Sequence, residues 1–85
     1  MEPAGCRVLR FREHDVTLVC FWRKDGSLVH FFVTDRSVLR NLPGRGQPAI
    51  SSHNGWMTAA WADDEHAYLI AVQGDQKVIE QLLSL

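Results

Sequence analysis

Several features that commit a chain to a chemistry are scarce here. Only two of the 85 residues are cysteine, Cys6 and Cys20, too few for a disulfide framework and without the companions a structural zinc site needs. The histidines, His14, His30, His53 and His66, are scattered, with no HExxH or other paired-ligand spacing. A net charge of −1 offers no basic footprint for nucleic acid. No apolar run reaches the ~18 residues of a membrane span. The opening Met1-Glu2-Pro3-Ala4-Gly5 lacks the basic start and apolar core of a secretory signal. The chain as it stands reads as soluble, and any membrane attachment would come through a segment outside it. Pro43-Gly44-Arg45-Gly46 lacks the Lys-Ser/Thr end of a phosphate loop. No internal repeat or low-complexity tract is present.

What is present is globular. Hydrophobic residues make up 46% and charged residues 22%, so residues 1–85 read as one small domain. A chain of this size buries only about 60–65% of its unfolded surface. The charge is uneven: residues 1–45 hold eight Lys/Arg against five Asp/Glu, and residues 46–85 hold one against five. Packing of two complementary halves accounts for this asymmetry more simply than head-to-tail association.

The organising stretch is Asp15 to Thr34, two β-type runs around Asp25-Gly26. Asp-Gly between such runs predicts a two-residue hairpin turn. That turn sets Trp22 opposite Val29, Cys20 opposite Phe31 and Leu18 opposite Val33. Both faces of the hairpin are then largely apolar, which places it inside the sheet. Residues 1–5 read as a loose end. Cys6 to Phe11 reads as a first strand, with Glu13-His14 in the turn and Arg10 and Arg12 marking a wet side or an edge. Whether the cysteines meet depends on this turn. Three residues, Arg12 to His14, would bring Cys6 opposite Cys20, whereas two would put them on opposite faces. Free, partly buried thiols are the preferred reading.

At Thr34-Asp35 the period changes. Val38, Leu39 and Leu42 predict a short helix over Asp35 to Leu42, capped by Thr34 or Asp35 and ended by Pro43-Gly44. Arg45 to Ser52 is a loop, with or without an edge strand at Ala49 to Ser51. Asn54-Gly55 leads into a second hairpin, Trp56 to Ala62 and Glu65 or His66 to Val72, turning at Asp63-Asp64. Trp61 would face His66, Ala59 Tyr68 and Met57 Ile70. Its other face, with Trp56, Thr58, Ala60, Ala67, Leu69 and Ala71, is rich in small side chains, a floor that a helix can approach closely. Gly74-Asp75 starts a last helix, Gln76 to Ser84, with Val78, Ile79, Leu82 and Leu83 as its apolar stripe. The fold class is α+β: an antiparallel sheet of five strands, or six with the edge strand, in two hairpin units with two short helices. The order is β-β-β-α-(β)-β-β-α.

Two stretches resemble a known family. Cys6 to Trp22 is similar to the first hairpin of the extracytoplasmic C-terminal domain of membrane-bound bacterial anti-sigma factors. So is the order Gly55-Trp56 to Trp61, then Ala67-Tyr68 to Ala71-Val72, then a helix ending in Leu82-Leu83. Together they cover about half the chain. The resemblance implies a sensor-side, extracytoplasmic domain in transcription regulation and signal transduction. Without that resemblance the expected location is the cytoplasm. In that family a separate helical domain, often with a His and CxxC zinc motif, holds sigma factor, and a membrane helix follows it. This chain has neither, so no direct sigma-factor binding is expected of it.

No residue set points to catalysis. His30 would need an orienting carboxylate to act as a base and reads as a strand histidine on a half-covered face. Ser51-Ser52-His53 lacks a nucleophile-elbow context. Asp63-Asp64-Glu65 reads as a solvated hairpin tip rather than a calcium loop, and Cys20 lacks the electropositive, exposed setting of a reactive thiol. The aromatic set Trp22, Phe31, Phe32, Trp56, Trp61 and Tyr68 reads as core before it reads as a ligand pocket. The expectation is therefore a non-enzymatic regulatory or protein-interaction domain without cofactor or metal. Two short helices cover only one face of the sheet, so the other is left for a homodimer or a partner protein, unless the sheet curls strongly and closes on itself. Met57, Trp61, His66, Tyr68 and Ile70 are the expected interaction surface. The alternative is a stand-alone small-ligand-binding module using the aromatic faces.

Overall fold

Alternating apolar runs become strands wherever a turn signal lets the chain reverse. The computed structural model describes residues 2–39 and 41–84. Its strands are β1 (Glu2–Phe11), β2 (His14–Trp22), β3 (Leu28–Asp35), β4 (Ala49–His53), β5 (Trp56–Ala62) and β6 (His66–Gln73). Among the described residues one α-helix, α1 (Gln76–Leu83), follows β6. The strands form one antiparallel sheet in the order β1-β2-β3-β6-β5-β4. Two three-strand meanders thus meet at β3 and β6. The fold is broadly α+β, with six strands and one helix among the described residues.

The turns decide the register. At the first, Arg12 and Glu13 both take positive φ (50° and 67°), giving a two-residue turn with Phe11 opposite His14. Cys6 therefore pairs with Val19 rather than Cys20, and both thiols are free. Glu2 to Gly5, expected as a loose end, extends β1 through a bulge between Pro3 and Gly5.

The central turn corrects the expected pairing. Gly26 N donates to Arg23 O at 3.0 Å and Arg23 N to Ser27 O at 2.9 Å, with Gly26 at φ 87°. Three residues, Lys24 to Gly26, make the turn, and glycine supplies the left-handed position. Trp22 consequently lies opposite Leu28, Cys20 opposite His30 and Leu18 opposite Phe32. One residue of slip moves Val29, Phe31 and Val33 to the other face from Trp22, Cys20 and Leu18. In the second hairpin the turn falls at Asp64-Glu65, since Asp63 N donates to His66 O at 3.0 Å. Trp61 then pairs with Tyr68, Ala59 with Ile70 and Met57 with Val72. This differs from the expected pairing by two positions, so the composition of each face is unchanged. Asn54-Gly55, at φ 50° and 83°, is itself a tight turn, and it joins β5 to the edge strand β4.

The expected helix at Asp35 to Leu42 is a single 3-10 turn, Arg36–Val38; Arg40 lies outside the described residues. Asp35 does cap it, accepting from Ser37 N at 2.8 Å. Leu39 is already extended (φ −120°, ψ 107°) and Asn41 takes φ 64°. So short a segment cannot repay helix nucleation, and Pro43 biases Leu42 toward extended backbone. The turn sets Val38 and Leu39 beside Ala67 and Leu69 at one end of the sheet.

α1 begins at Asp75, whose carboxylate accepts from Lys77 N and Val78 N. Ile79 and Leu82 seat on Val29, Met57, Ala59, Trp61 and Val72, and Val72 and Ile79 are 0% exposed. The helix therefore takes the large-residue face and not the small-residue floor. Val38 already occupies the Ala67 end of the other face, whereas Val29, Met57, Ala59, Trp61 and Val72 form a continuous seat for Ile79 and Leu82. Arg23 Nη2 donates to Gln81 Oε1 at 3.0 Å, tying the central turn to the helix.

Candidate functional site

The face opposite α1 is assembled by strand parity alone. Residues paired across the ladders share a face. One cross-strand row runs Trp22, Leu28, then Trp56 beyond Gln73. A second runs Leu18, Phe32, Leu69, Ala60. Between them lie Cys20, His30, Ala71 and Thr58. Trp22 is 47% exposed, and Leu18, Phe32, Trp56 and Leu69 are half-buried. No Asp, Glu, Lys or Arg of β2 to β6 projects from this face among the described residues. On the edge strand β1, Arg7 pairs with Leu18 and brings a formal charge to the rim of this face.

His30 sits at the middle of the face. Its ring stacks on Phe32 with centroids 6.5 Å apart, and meets Trp56 edge-on at 5.7 Å. Nδ1 is buried with no hydrogen-bond partner. Cys20 is its cross-strand neighbour, yet no hydrogen bond joins them. A base needs an orienting group, and an activated thiol needs a cation or an acceptor; here neither side chain has one. Among the described residues no group of three or more His, Cys, Asp or Glu stands close enough to hold a metal ion.

At one end, where Val38 and Leu39 cross the sheet, the same face deepens into a groove of about 390 Å³. Leu9, Phe11, Val16, Phe32 and Leu69 line it with those two residues. Thr34 at its floor is buried, and its hydroxyl donates to the Asp15 carbonyl at 3.0 Å.

The residues expected to form the interaction surface share the other face. Met57 and Trp61 are each 7% exposed, beneath α1. Tyr68 and Ile70 are half-buried beside the helix, and His66 is exposed. Phe31, Trp61 and Tyr68 stack with centroids 5.5–6.3 Å apart, and the Arg45 guanidinium lies 6.0 Å above Trp61. The six-residue aromatic set is thus divided, with Phe31, Trp61 and Tyr68 on the helix side and Trp22, Phe32 and Trp56 on the open side.

The acidic hairpin tip is organised by Asp63. Its Oδ1 accepts from Glu65 N at 2.9 Å and His66 N at 2.8 Å, and Oδ2 accepts from the Tyr68 hydroxyl at 2.7 Å. The Tyr68 bond first, then the two backbone bonds, hold this carboxyl down at about 2. The carboxylate is used up by the turn and is not free for a cation.

Sequence reasoning missed Leu18, Leu28, Trp22 and Phe32 as one surface. The signal was a glycine third in the Lys24-Asp25-Gly26 turn, the mark of a three-residue hairpin loop. No protein-family model matches this chain, and neither does any curated protein or solved structure.

Proposed function

We propose that this chain is a non-enzymatic protein-interaction domain that works through the open face of its sheet. One observation carries the reading: a broad apolar face, with no Asp, Glu, Lys or Arg from β2 to β6, lies opposite the face that α1 covers. Contiguous apolar surface of this kind on a small domain marks a binding surface. Trp22, Phe32 and Trp56 supply the aromatic anchors that interfaces favour. The resemblance of its two hairpins to the extracytoplasmic domain of anti-sigma factors adds a regulatory setting, in which the domain passes on a signal by changing what its open face holds.

The test is a hydrophobic dye such as ANS, with sedimentation in parallel. The expected result is either dye fluorescence that Leu69→Glu removes while far-UV circular dichroism is unchanged, or an assembly that buries the face. A monomer that binds no dye overturns the reading.

The groove beneath Val38 and Leu39 supports a second reading, a small-ligand module. Its volume of about 390 Å³ lies in the range of small-molecule sites. A thermal-shift screen of small apolar compounds, with Leu39→Lys as control, tests it. No stabilisation in the wild-type chain overturns it.

A further inference from the structure

Building on the interaction reading, we propose that the occupant of the open face is a second copy of this chain, packed sheet to sheet about a two-fold axis. Three observations converge on it.

The first is charge. A patch of one sign cannot face its own copy without repulsion, and a charged partner surface would lose its water here with no opposite charge to meet. A face without Asp, Glu, Lys or Arg from β2 to β6 is compatible with itself.

The second is area. Five strands, β2 to β6, at ~4.8 Å and about seven residues of length at ~3.3 Å give a footprint of roughly 550 Å² in projection. Side-chain relief brings this toward the ~800 Å² per partner of a standard stable interface. The face therefore approaches the area a dimer needs.

The third is relief. The rows through Trp56 and through Phe32 carry large side chains, and the row between them holds the His30 ring at β3 and falls to small residues at Ala71 and Thr58. Ridges of one sheet settling over the low row of another is how sandwich cores interdigitate at ~10 Å separation.

The competing self-association is edge to edge. β1 carries Arg7 and Arg10 and a bulge, devices that blunt an edge. β4 carries no charge, and Ile50 is exposed upon it.

The two native cysteines give a test without disturbing the core. Cys20 lies on the open face, and Cys6 is exposed on the other face of the edge strand. The full chain is followed by sedimentation equilibrium from roughly 1 to roughly 100 µM, spanning the Kd range of a modest dimer. Maleimide labelling at the same concentrations is mapped to each cysteine by mass spectrometry. The proposal expects a dimer, with Cys20 labelling slowed about tenfold at the upper concentration and Cys6 changed less than about twofold. Phe32→Glu should yield a folded monomer. A monomer that binds ANS at this face overturns the second copy but leaves the interaction reading standing. A monomer that binds no dye overturns both. A dimer in which Cys20 stays reactive, or one broken by Ile50→Lys and not by Phe32→Glu, overturns face-to-face packing in favour of the β4 edge.

Discussion

The Tyr68 hydroxyl donates to Asp63 Oδ2 at 2.7 Å, across the base of the hairpin between β5 and β6. The bond fixes the acidic tip to a strand at the middle of the sheet and couples the titration of the two groups. It holds Asp63 down and pushes Tyr68 up from its ordinary value of 10.0.

Asp63 gives the first prediction. Its folded value of about 2 lies below the ordinary 3.8, so its contribution to stability is present above about pH 4. The contribution is lost as pH falls through about 2. Asp25 and Asp35 are lowered by their bonds from Ser27 and Ser37 and act in the same direction. Asp63→Asn should flatten the acid limb of stability against pH, as read by urea midpoints between about pH 5 and pH 2. An unchanged acid limb would refute the role given to this carboxylate.

Tyr68 offers a direct readout because it is the single tyrosine. Its phenolate absorbance should titrate above the ordinary 10.0, chiefly through the Asp63 bond. Stability from this bond is present below that ordinary value and lost as pH rises through the higher folded one. In Asp63→Asn the midpoint should move back toward 10.0. A wild-type midpoint at the ordinary value would show that the bond does not persist in solution.

Leu82 is 6% exposed against Met57 and Trp61. Leu82→Ala should cost about 2–5 kcal/mol, lowering Tm by ~8 °C or more for a domain of this size. Equal stability of variant and wild type would remove α1 from the core.

Gly74 sits at φ 140°, and a Cβ there would come within 3.0 Å of Val78 Cγ2. Gly74→Ala strains the backbone and crowds the first turn of α1 together, at a cost of about 1–3 kcal/mol. Chemical denaturation measures it, and a stabilised variant would contradict the assigned conformation.

Cys6 and Cys20 project from opposite faces. The folded chain should therefore keep two free thiols under mild oxidation, counted by Ellman titration after unfolding. An intramolecular bridge formed in the folded state would require a three-residue first turn and disprove the Arg12-Glu13 reversal.

Local signals in the sequence determined the strands of both hairpins, the Asp75-capped helix, and the punctuation at Asn54-Gly55 and Pro43-Gly44. Alternation, caps and turn residues act over a few positions, so each can be read where it stands. The composition of the β5–β6 faces was legible for the same reason, because a two-residue error in pairing preserves parity. Only the tertiary structure decided which faces join. One extra residue in the Lys24–Gly26 turn reverses every side chain of β2 relative to β3, so Phe31 went under the helix side with Trp61, and Leu18, Trp22 and Phe32 went to the open side. The side taken by α1 was equally out of reach. Both faces of the sheet are apolar, and the choice rests on the seat that Val29, Met57, Trp61 and Val72 build together and on the end of the other face already filled by Val38, a comparison of whole surfaces that no short stretch of sequence contains.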